Sequence, residues 1–295
     1  MKKSYVLVTL ICLVLVGPSR AVSQSPAGMP MPKVIWIFRE DVKPARTATH
    51  ERVEQSFAQL WTKANVEPYL GLDAVSGNAN EALFISGYDS LAAFEKDFQV
   101  FGKASSGPMK AEYEALTKQE AELVNSVRST VALYRPDLSY RGDRFMGGLP
   151  KARYFEIETF RVRLGKDESF AEGAKMFQTA YEKLNIERPW AAYQVMSGAP
   201  SGTYLIFVPL NALKDVDDDL AMRGKLMEAM GEENFKNLMK GEGEVFSSTE
   251  TNIYAFNPNT SHVSKEFAAM DAEFWTPKPK TSSQPAQKAA KPGNQ

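Results

Sequence analysis

The chain has 295 residues, a formal net charge of −1 at pH 7, 43% hydrophobic residues and one cysteine. This length can supply a hydrophobic core without covalent cross-links, and one cysteine excludes a framework of intramolecular disulfides. Without the charges of residues 1–23 and 277–295, the net charge of the remaining body is −8. A body this acidic argues against a nucleic-acid partner, because such a surface needs clustered lysine and arginine.

The N-terminal segment 1–23 has the three-part pattern of a secretory signal peptide. Two lysines precede the apolar run 5–16, and small residues follow at Ala21 and Ser23. The run is shorter than the roughly 20 residues that a membrane-spanning helix needs. We therefore expect a periplasmic or secreted protein with no membrane association after cleavage, and a retained membrane anchor is the alternative. Cleavage would also remove Cys12, so the mature protein would contain no thiol.

The next part of the chain reads as a β-α-β-β-α-β unit. A strand at 33–38 precedes a helix in which Val53, Phe57, Leu60 and Ala64 recur at helical spacing. Two strands follow, joined by a turn that contains Gly77. A second helical region at 89–124, interrupted at 103–108, and a last strand that ends at Pro136 close the unit. The order of elements is that of the ferredoxin-like split motif.

The same pattern occurs twice. The heptad WTKANVE (61–67) recurs as YEKLNIE (181–187), and one inserted residue brings Ser76-Gly77 into register with Ser197-Gly198. A self-match of this length indicates a duplicated domain rather than a short structural repeat. The predicted organisation is a signal peptide (1–23), a first ferredoxin-like unit (33–138), a linker (139–151), a second unit (152–260), a C-terminal helix (261–276) and a disordered tail (277–295).

Two such units in one chain suggest how their sheets pack. A four-stranded sheet with helices on one face leaves its other face bare, and two bare faces can cover each other. This arrangement resembles the dimeric α+β barrel superfamily, which includes antibiotic biosynthesis monooxygenase and NIPSNAP-like domains. The resemblance implies an α+β fold in which the two antiparallel sheets pack face to face within one chain. The protein would then be a monomer built as an internal pseudo-dimer, and the sequence leaves open whether such monomers form higher oligomers. The alternative for the fold is two sheets that lie side by side without a shared barrel.

The sequence contains no recognisable metal or cofactor motif. The two histidines, His50 and His262, are far apart, and neither has another histidine at ligand spacing. No phosphate-binding glycine motif and no serine nucleophile elbow is present. We therefore predict no metal site and no cofactor. The haem-degrading relatives that the resemblance suggests need an axial histidine, and no predicted strand contains one.

Several polar residues recur at matching positions in both copies. Asn65 and Asn185 stand where a helix should end, a position that favours left-handed backbone geometry. Glu120 and Glu242 also match. A residue that is repeated in this way more simply serves the fold than a reaction, so we interpret this set as structural.

Alternation along the strands selects candidate site residues. If Phe155 and Ile157 face the helices, then Glu156 and Glu158 face the barrel interior, where a buried carboxylate with a raised pKa could act as a base. An exposed sheet edge is the other interpretation of these two glutamates. Matching of the copies adds seven predicted ligand-binding residues to the two catalytic candidates, namely Trp36, Asp73, Thr130, Tyr154, Gln194, Asn252 and Tyr254.

These observations lead to three hypotheses for function. The first is an exported protein that binds a small apolar or aromatic molecule between its two sheets. The second is a cofactor-independent oxygenase or isomerase that uses Glu156 or Glu158 as a base. The third is a structural or interaction module whose own side chains fill the barrel.

Overall fold

The computed structural model describes residues 29–276. The predicted signal peptide and the predicted tail therefore lie outside the described residues. The first half contains the strands β1 (Val34–Val42), β2 (Tyr69–Ala74), β3 (Glu81–Tyr88) and β4 (Val124–Tyr134), and the helices α1 (Thr47–Ala64), α2 (Leu91–Ala104) and α3 (Lys110–Ala121). A short helix, α4 (Gly142–Gly148), connects the halves.

The second half repeats this order and adds two short helices at its end. It contains the strands β5 (Tyr154–Val162), β6 (Ala191–Ser197), β7 (Thr203–Leu210) and β8 (Phe246–Phe256), and the helices α5 (Asp167–Lys183), α6 (Lys214–Met230) and α7 (Glu232–Val245). The C-terminal helices are α8 (Lys265–Ala269) and α9 (Ala272–Trp275). No helix within residues 29–276 combines the length and the apolarity needed to cross a membrane.

All eight strands form one closed barrel in the order β1-β3-β2-β8-β5-β7-β6-β4. Every pairing is antiparallel, and the pairs β2–β8 and β4–β6 join the two halves. The bare faces of the two sheets therefore enclose a common lumen, while the helices pack on the outside. This confirms the predicted α+β fold of two tandem ferredoxin-like units.

Both faces of the strands are buried, which matters for the candidate site. Residues such as Ile37, Leu83 and Ile157 form the core inside the lumen. Separate apolar clusters fill the space beneath the helices of each half, around Phe57 in the first and Phe170 in the second. Many strands are therefore apolar on both sides, so alternation alone does not identify the side that faces the lumen.

The repeated Ser-Gly pair lies at the seams between the halves. Gly77 and Gly198 have φ angles of +80° and +88°, which side chains disfavour. A Cβ at Gly198 would lie 2.0 Å from the carbonyl oxygen of Ser129 in the other half. At the other seam, the hydroxyl of Ser76 accepts a hydrogen bond of 2.8 Å from the backbone N–H of Ile253. The repeat thus preserves two equivalent contacts that close the barrel.

The predicted linker and the C-terminal segment cover one end of the barrel. Residues 139–151 are not an extended linker, because α4 forms there and buries Phe145 against the lumen core. The single predicted C-terminal helix is divided into α8 and α9, and Ser264 caps α8 by accepting a hydrogen bond from the N–H of Phe267. The indole N–H of Trp275 donates to the carbonyl of Pro150 at 2.7 Å, so the two covering segments hold each other.

The recurring asparagines end helices as predicted. Asn65 follows α1 with φ 57°, and Asn185 is the second residue beyond α5 with φ 51°. Both are left-handed, a conformation that asparagine tolerates better than most residues. Their repetition is explained by the backbone of the fold.

Candidate functional site

A cavity of about 280 Å³ lies at the covered end of the barrel, where β1, β2, β5 and β6 begin. Apolar side chains from both halves form its barrel wall, among them Ile35, Leu70, Ile85 and Phe207. The covering segments contribute Phe145 and Phe267. The cavity therefore depends on the duplication and on the two segments that close it.

Three hydroxyl groups beside the cavity, those of Tyr193, Tyr88 and Ser264, are already engaged by the protein. Tyr193 donates to the carbonyl of Pro32 at 3.0 Å, and Tyr88 donates to Asp97 at 2.8 Å. Ser264 accepts the capping hydrogen bond of α8. A molecule in the cavity would thus meet mainly aliphatic and aromatic surface, which favours an apolar ligand.

The middle of the lumen is filled, and its other end is polar. Ile37 and Leu83 are at most 1% exposed there. Beyond them, Arg39 donates to Glu81 at 2.7 Å and to the hydroxyl of Tyr254 at 2.9 Å. Tyr254 donates in turn to Glu81 at 2.5 Å, and burial raises the pKa of Tyr254 to about 12. The filled-barrel hypothesis therefore describes the middle of the lumen but not its covered end.

The predicted orientation of β5 is wrong. Phe155 and Ile157 belong to the lumen core, so Glu156 and Glu158 lie on the outer face, beneath the helices. Tyr154 shares that outer face by alternation. We expected Phe155 and Ile157 to pack against the helices. They pack in the lumen instead, because the lumen is the larger apolar compartment.

Three other predicted residues also lie outside the lumen. Trp36 packs in an aromatic group with α2, with ring centroids 5.8 Å from Phe94 and 6.0 Å from Phe101. The other two make polar contacts on the outer face. Asp73 accepts a hydrogen bond from Asn257 at 2.8 Å, and Gln194 accepts one from Arg135 at 2.7 Å.

The remaining three predicted residues face the lumen, as expected. Their strand partners belong to the lumen core, with Thr130 opposite Ile37, Asn252 opposite Ile157, and Tyr254 opposite Phe155. None of the nine predicted site residues is among the described residues that line the cavity. Three of the nine candidates were therefore placed on the correct face of the strands, and none of them lies among the described residues at the cavity.

Glu156 and Glu158 form a carboxyl pair on the outer face. Burial raises the pKa of Glu158 to about 7, and the adjacent Glu156 and the nearby Asp219 add like charges. Burial also raises the pKa of Glu156. Arg188 forms an ion pair with Asp219 beside them. The pair could exchange a proton near neutral pH, but it does so on the opposite face of β5 from the cavity.

A second ionisable cluster, which the sequence analysis did not single out, lies between β1 and α1. Glu40, His50 and Glu54 are 1%, 3% and 6% exposed, and Nε2 of His50 lies 2.5 Å from Oε2 of Glu40. Burial lowers the pKa of His50 and raises the pKa of Glu40 and of Glu54. Burial and the neighbouring Glu40 raise the pKa of Glu120 to about 9.

The two repeated glutamates differ in their surroundings. Glu120 is half-buried beside Glu40, whereas its match Glu242 is exposed. A comparison of the copies that looked for differences, rather than identities, could have found this site. Glu40 stands where the second copy has Phe160, and His50 where it has Phe170.

No protein-family model and no curated protein matches this chain. Among solved structures it is similar to an anthrone oxidase-like protein, with a TM-score of 0.50 and 12% identity over 79% of this chain and 94% of that one. It is also similar to a chlorite dismutase variant from Candidatus Nitrospira defluvii (TM-score 0.47, 10% identity, 82% and 97% covered). A third is a NIPSNAP domain protein from Burkholderia xenovorans (TM-score 0.30, 12% identity, 35% and 95% covered).

These likenesses concern the fold, because all three identities are low. The anthrone oxidase-like structure shares the fold of this chain, and at 12% identity the likeness extends no further than the fold. The chemistry of this chain has to be argued from its own cavity and its own ionisable residues.

Proposed function

We propose that this protein is exported and binds a small apolar molecule, of the size of a one- or two-ring aromatic, in the cavity at the covered end of the barrel. The observation that carries the proposal is a cavity of about 280 Å³ with mainly apolar walls, beside which the hydroxyl groups of Tyr193 and Tyr88 already have partners. Apolar cavities of about half this volume are known to hold benzene.

The energetics support a modest affinity. Burial of about 150 Å² of apolar ligand surface contributes about 4 kcal/mol at 25 cal/mol per Å². Part of this is offset by the lost freedom of the ligand. We therefore expect dissociation constants in the micromolar to millimolar range for simple aromatic probes, and tighter binding for a ligand that fills the cavity.

The geometry favours binding over carboxylate catalysis. The oxygenase or isomerase hypothesis needs Glu156 or Glu158 beside the ligand, yet both lie on the outer face of β5. Trp36, a predicted ligand-binding residue, is also outside, packed against α2. A ligand in the cavity would contact neither group.

Substitution of a wall residue tests the proposal. Leu70→Phe adds a ring at the cavity wall, and we expect it to weaken binding of indole and naphthalene at least about tenfold by filling their space. Leu133→Phe is the matched control, because Leu133 is partly exposed on the outer face of β4. Binding is measured by ligand-observed NMR and calorimetry, with circular dichroism as the check of folding.

Two results would count against the proposal. One is wild-type protein that binds neither probe. The other is a Leu70→Phe variant that is folded and binds both probes as tightly as the Leu133→Phe variant. Native mass spectrometry of the purified protein complements this test, since a retained natural ligand would be displaced by the same substitution.

A further inference from the structure

The buried cluster between β1 and α1 brings three metal-ligating side chains together. Glu40 points outward from β1, while His50 and Glu54 lie one turn apart on the same face of α1. Nε2 of His50 lies 2.5 Å from Oε2 of Glu40 and 3.9 Å from Oε1 of Glu54. One donor atom from each residue lies within 4.8 Å of the other two.

One of these atoms has no partner among the described residues. Oε1 of Glu54 is buried and makes no hydrogen bond, and the side chain as a whole is 8% exposed. A buried carboxylate oxygen without a partner costs several kcal/mol relative to its hydrated state. Nε2 of His50 lies 3.9 Å from this oxygen, which therefore faces the space between the side chains of Glu40, His50 and Glu54.

The charges of the cluster are also uncompensated within residues 29–276. No lysine or arginine of that range makes an ion pair with Glu40, Glu54 or Glu120. Asp73 is close enough to His50 to influence it. The cluster must therefore hold extra protons or take up a cation.

The second half of the protein shows that the fold does not require this cluster. The register of pairing shifts just before Val42 in β1 and just before Val162 in β5, which fixes the match between the two strands. The residues equivalent to Glu40, His50 and Glu54 are apolar, namely Phe160, Phe170 and Ala174. Phe160 and Phe170 pack with ring centroids 5.6 Å apart. The same place in the same fold is thus filled without charge in one half and with three ionisable groups in the other.

The position of the cluster also gives a route to it. A small cavity of about 50 Å³ lies beside His50, between the start of α1 and the strands β2 and β3. Thr47, Asp73 and Asn80 contribute to its walls. A hydrated cation could approach through this polar opening, which lies on the outer face of the barrel and is separate from the apolar cavity.

We propose that Glu40, His50 and Glu54 bind a divalent first-row transition metal ion. Imidazole nitrogen suits zinc, iron and nickel, and carboxylate oxygen suits manganese, so a mixed set selects this class over calcium or magnesium. Metal–ligand distances of about 2.1 Å place neighbouring donor atoms about 3.0 Å apart in octahedral and about 3.4 Å apart in tetrahedral geometry. The ion would thus part Nε2 from Oε2 of Glu40 by about 0.5 to 0.9 Å and draw Oε1 of Glu54 closer.

Calorimetric titration of the full chain with Zn²⁺ and Mn²⁺ tests this assignment. We expect one ion per chain, and we expect His50→Gln and Glu54→Gln each to weaken binding at least about tenfold. His262→Gln is the matched control, because it alters the other histidine, which contacts Thr62 and Val66 outside the cluster. It should bind as the wild type does.

A second variant guards against loss of folding. The triple substitution Glu40→Phe, His50→Phe and Glu54→Ala installs the residues that the second half already uses at this place. We expect it to fold and to bind no Zn²⁺ or Mn²⁺. The proposal is overturned if the wild type binds neither ion, if the folded triple variant binds them as tightly as the wild type, or if His262→Gln loses as much affinity as His50→Gln.

Discussion

The carboxyl pair on β5 makes a measurable prediction about stability. Glu158 has an ordinary pKa of 4.5 and a pKa of about 7 in the folded protein, because burial and Glu156 disfavour its charge. Between these pH values the folded state keeps a proton that the unfolded state has lost. Stability therefore falls as the pH rises from about 4.5 to about 7, and it changes no further through this group above that range.

The size of the effect follows from the shift. A difference of about 2.5 pH units at 1.4 kcal/mol per unit gives at most about 3.5 kcal/mol. Glu158 is half-buried, and solvent screening reduces this value, so we expect about 1 to 3 kcal/mol. Glutamine cannot ionise, so Glu158→Gln should gain this amount relative to the wild type between pH 4.5 and pH 8.

Urea unfolding, followed by tryptophan fluorescence, gives the free energy of unfolding of the variant and of the wild type at pH 4.5 and at pH 8. The prediction concerns how the difference between the two proteins changes between these pH values. Titrating groups that are distant from Glu158 act on the wild type and the variant alike and largely cancel, whereas the adjacent Glu156 is part of the measured effect. Glu228→Gln, an exposed substitution on α6, should show no such change. The reasoning would be refuted if the difference in free energy of unfolding between Glu158→Gln and the wild type were the same at the two pH values. It would also be refuted if the variant were less stable relative to the wild type at pH 8 than at pH 4.5.

Two further predictions concern the seams of the barrel and the N-terminus. Gly198→Ala should destabilise the protein by more than about 1 kcal/mol, since the residue has φ +88° and its new Cβ would meet the carbonyl of Ser129. The control is Gly102→Ala on α2, where a new Cβ would meet nothing within 4 Å, and this variant should be as stable as the wild type or more stable. Urea unfolding measures both variants. Export should remove residues 1–23, so intact mass of the protein from the periplasm or the medium should match a chain without them, and an intact N-terminus there would refute cleavage.

The duplicated architecture could be predicted because it leaves a long signal in the sequence. The recurring heptad, the Ser-Gly turns and the helix-ending asparagines each mark a backbone feature that both halves need. The break in the second helical region of the first half also appears, between α2 and α3. Phe145 and Leu149, within the predicted linker, pack onto the barrel, and no pattern in the sequence of that segment indicated this contact.

The orientation of the strands could not be predicted from alternation. In a closed barrel covered by helices, both faces of a strand are buried, and apolar residues on β1 and β5 stand on both. The choice between Phe155 and Glu156 as the lumen residue depends on how much space the lumen has, which is a property of all eight strands. Six of the nine candidate residues were placed on the wrong face for this reason.

Differences between the two halves say more about function than their identities. The halves share strand order, seam turns and helix ends, and so the fold accounts for the residues that they share. Where the first half has Glu40 and His50, the second has a pair of packed phenylalanines, and where the first has Trp36, the second has Glu156. An apolar residue at such a place suffices for stability, so a buried charge there needs another reason. In a duplicated fold, each half thus serves as a reference for the other. Where a buried charge in one half is matched by an apolar residue in the other, the fold itself does not require the charge.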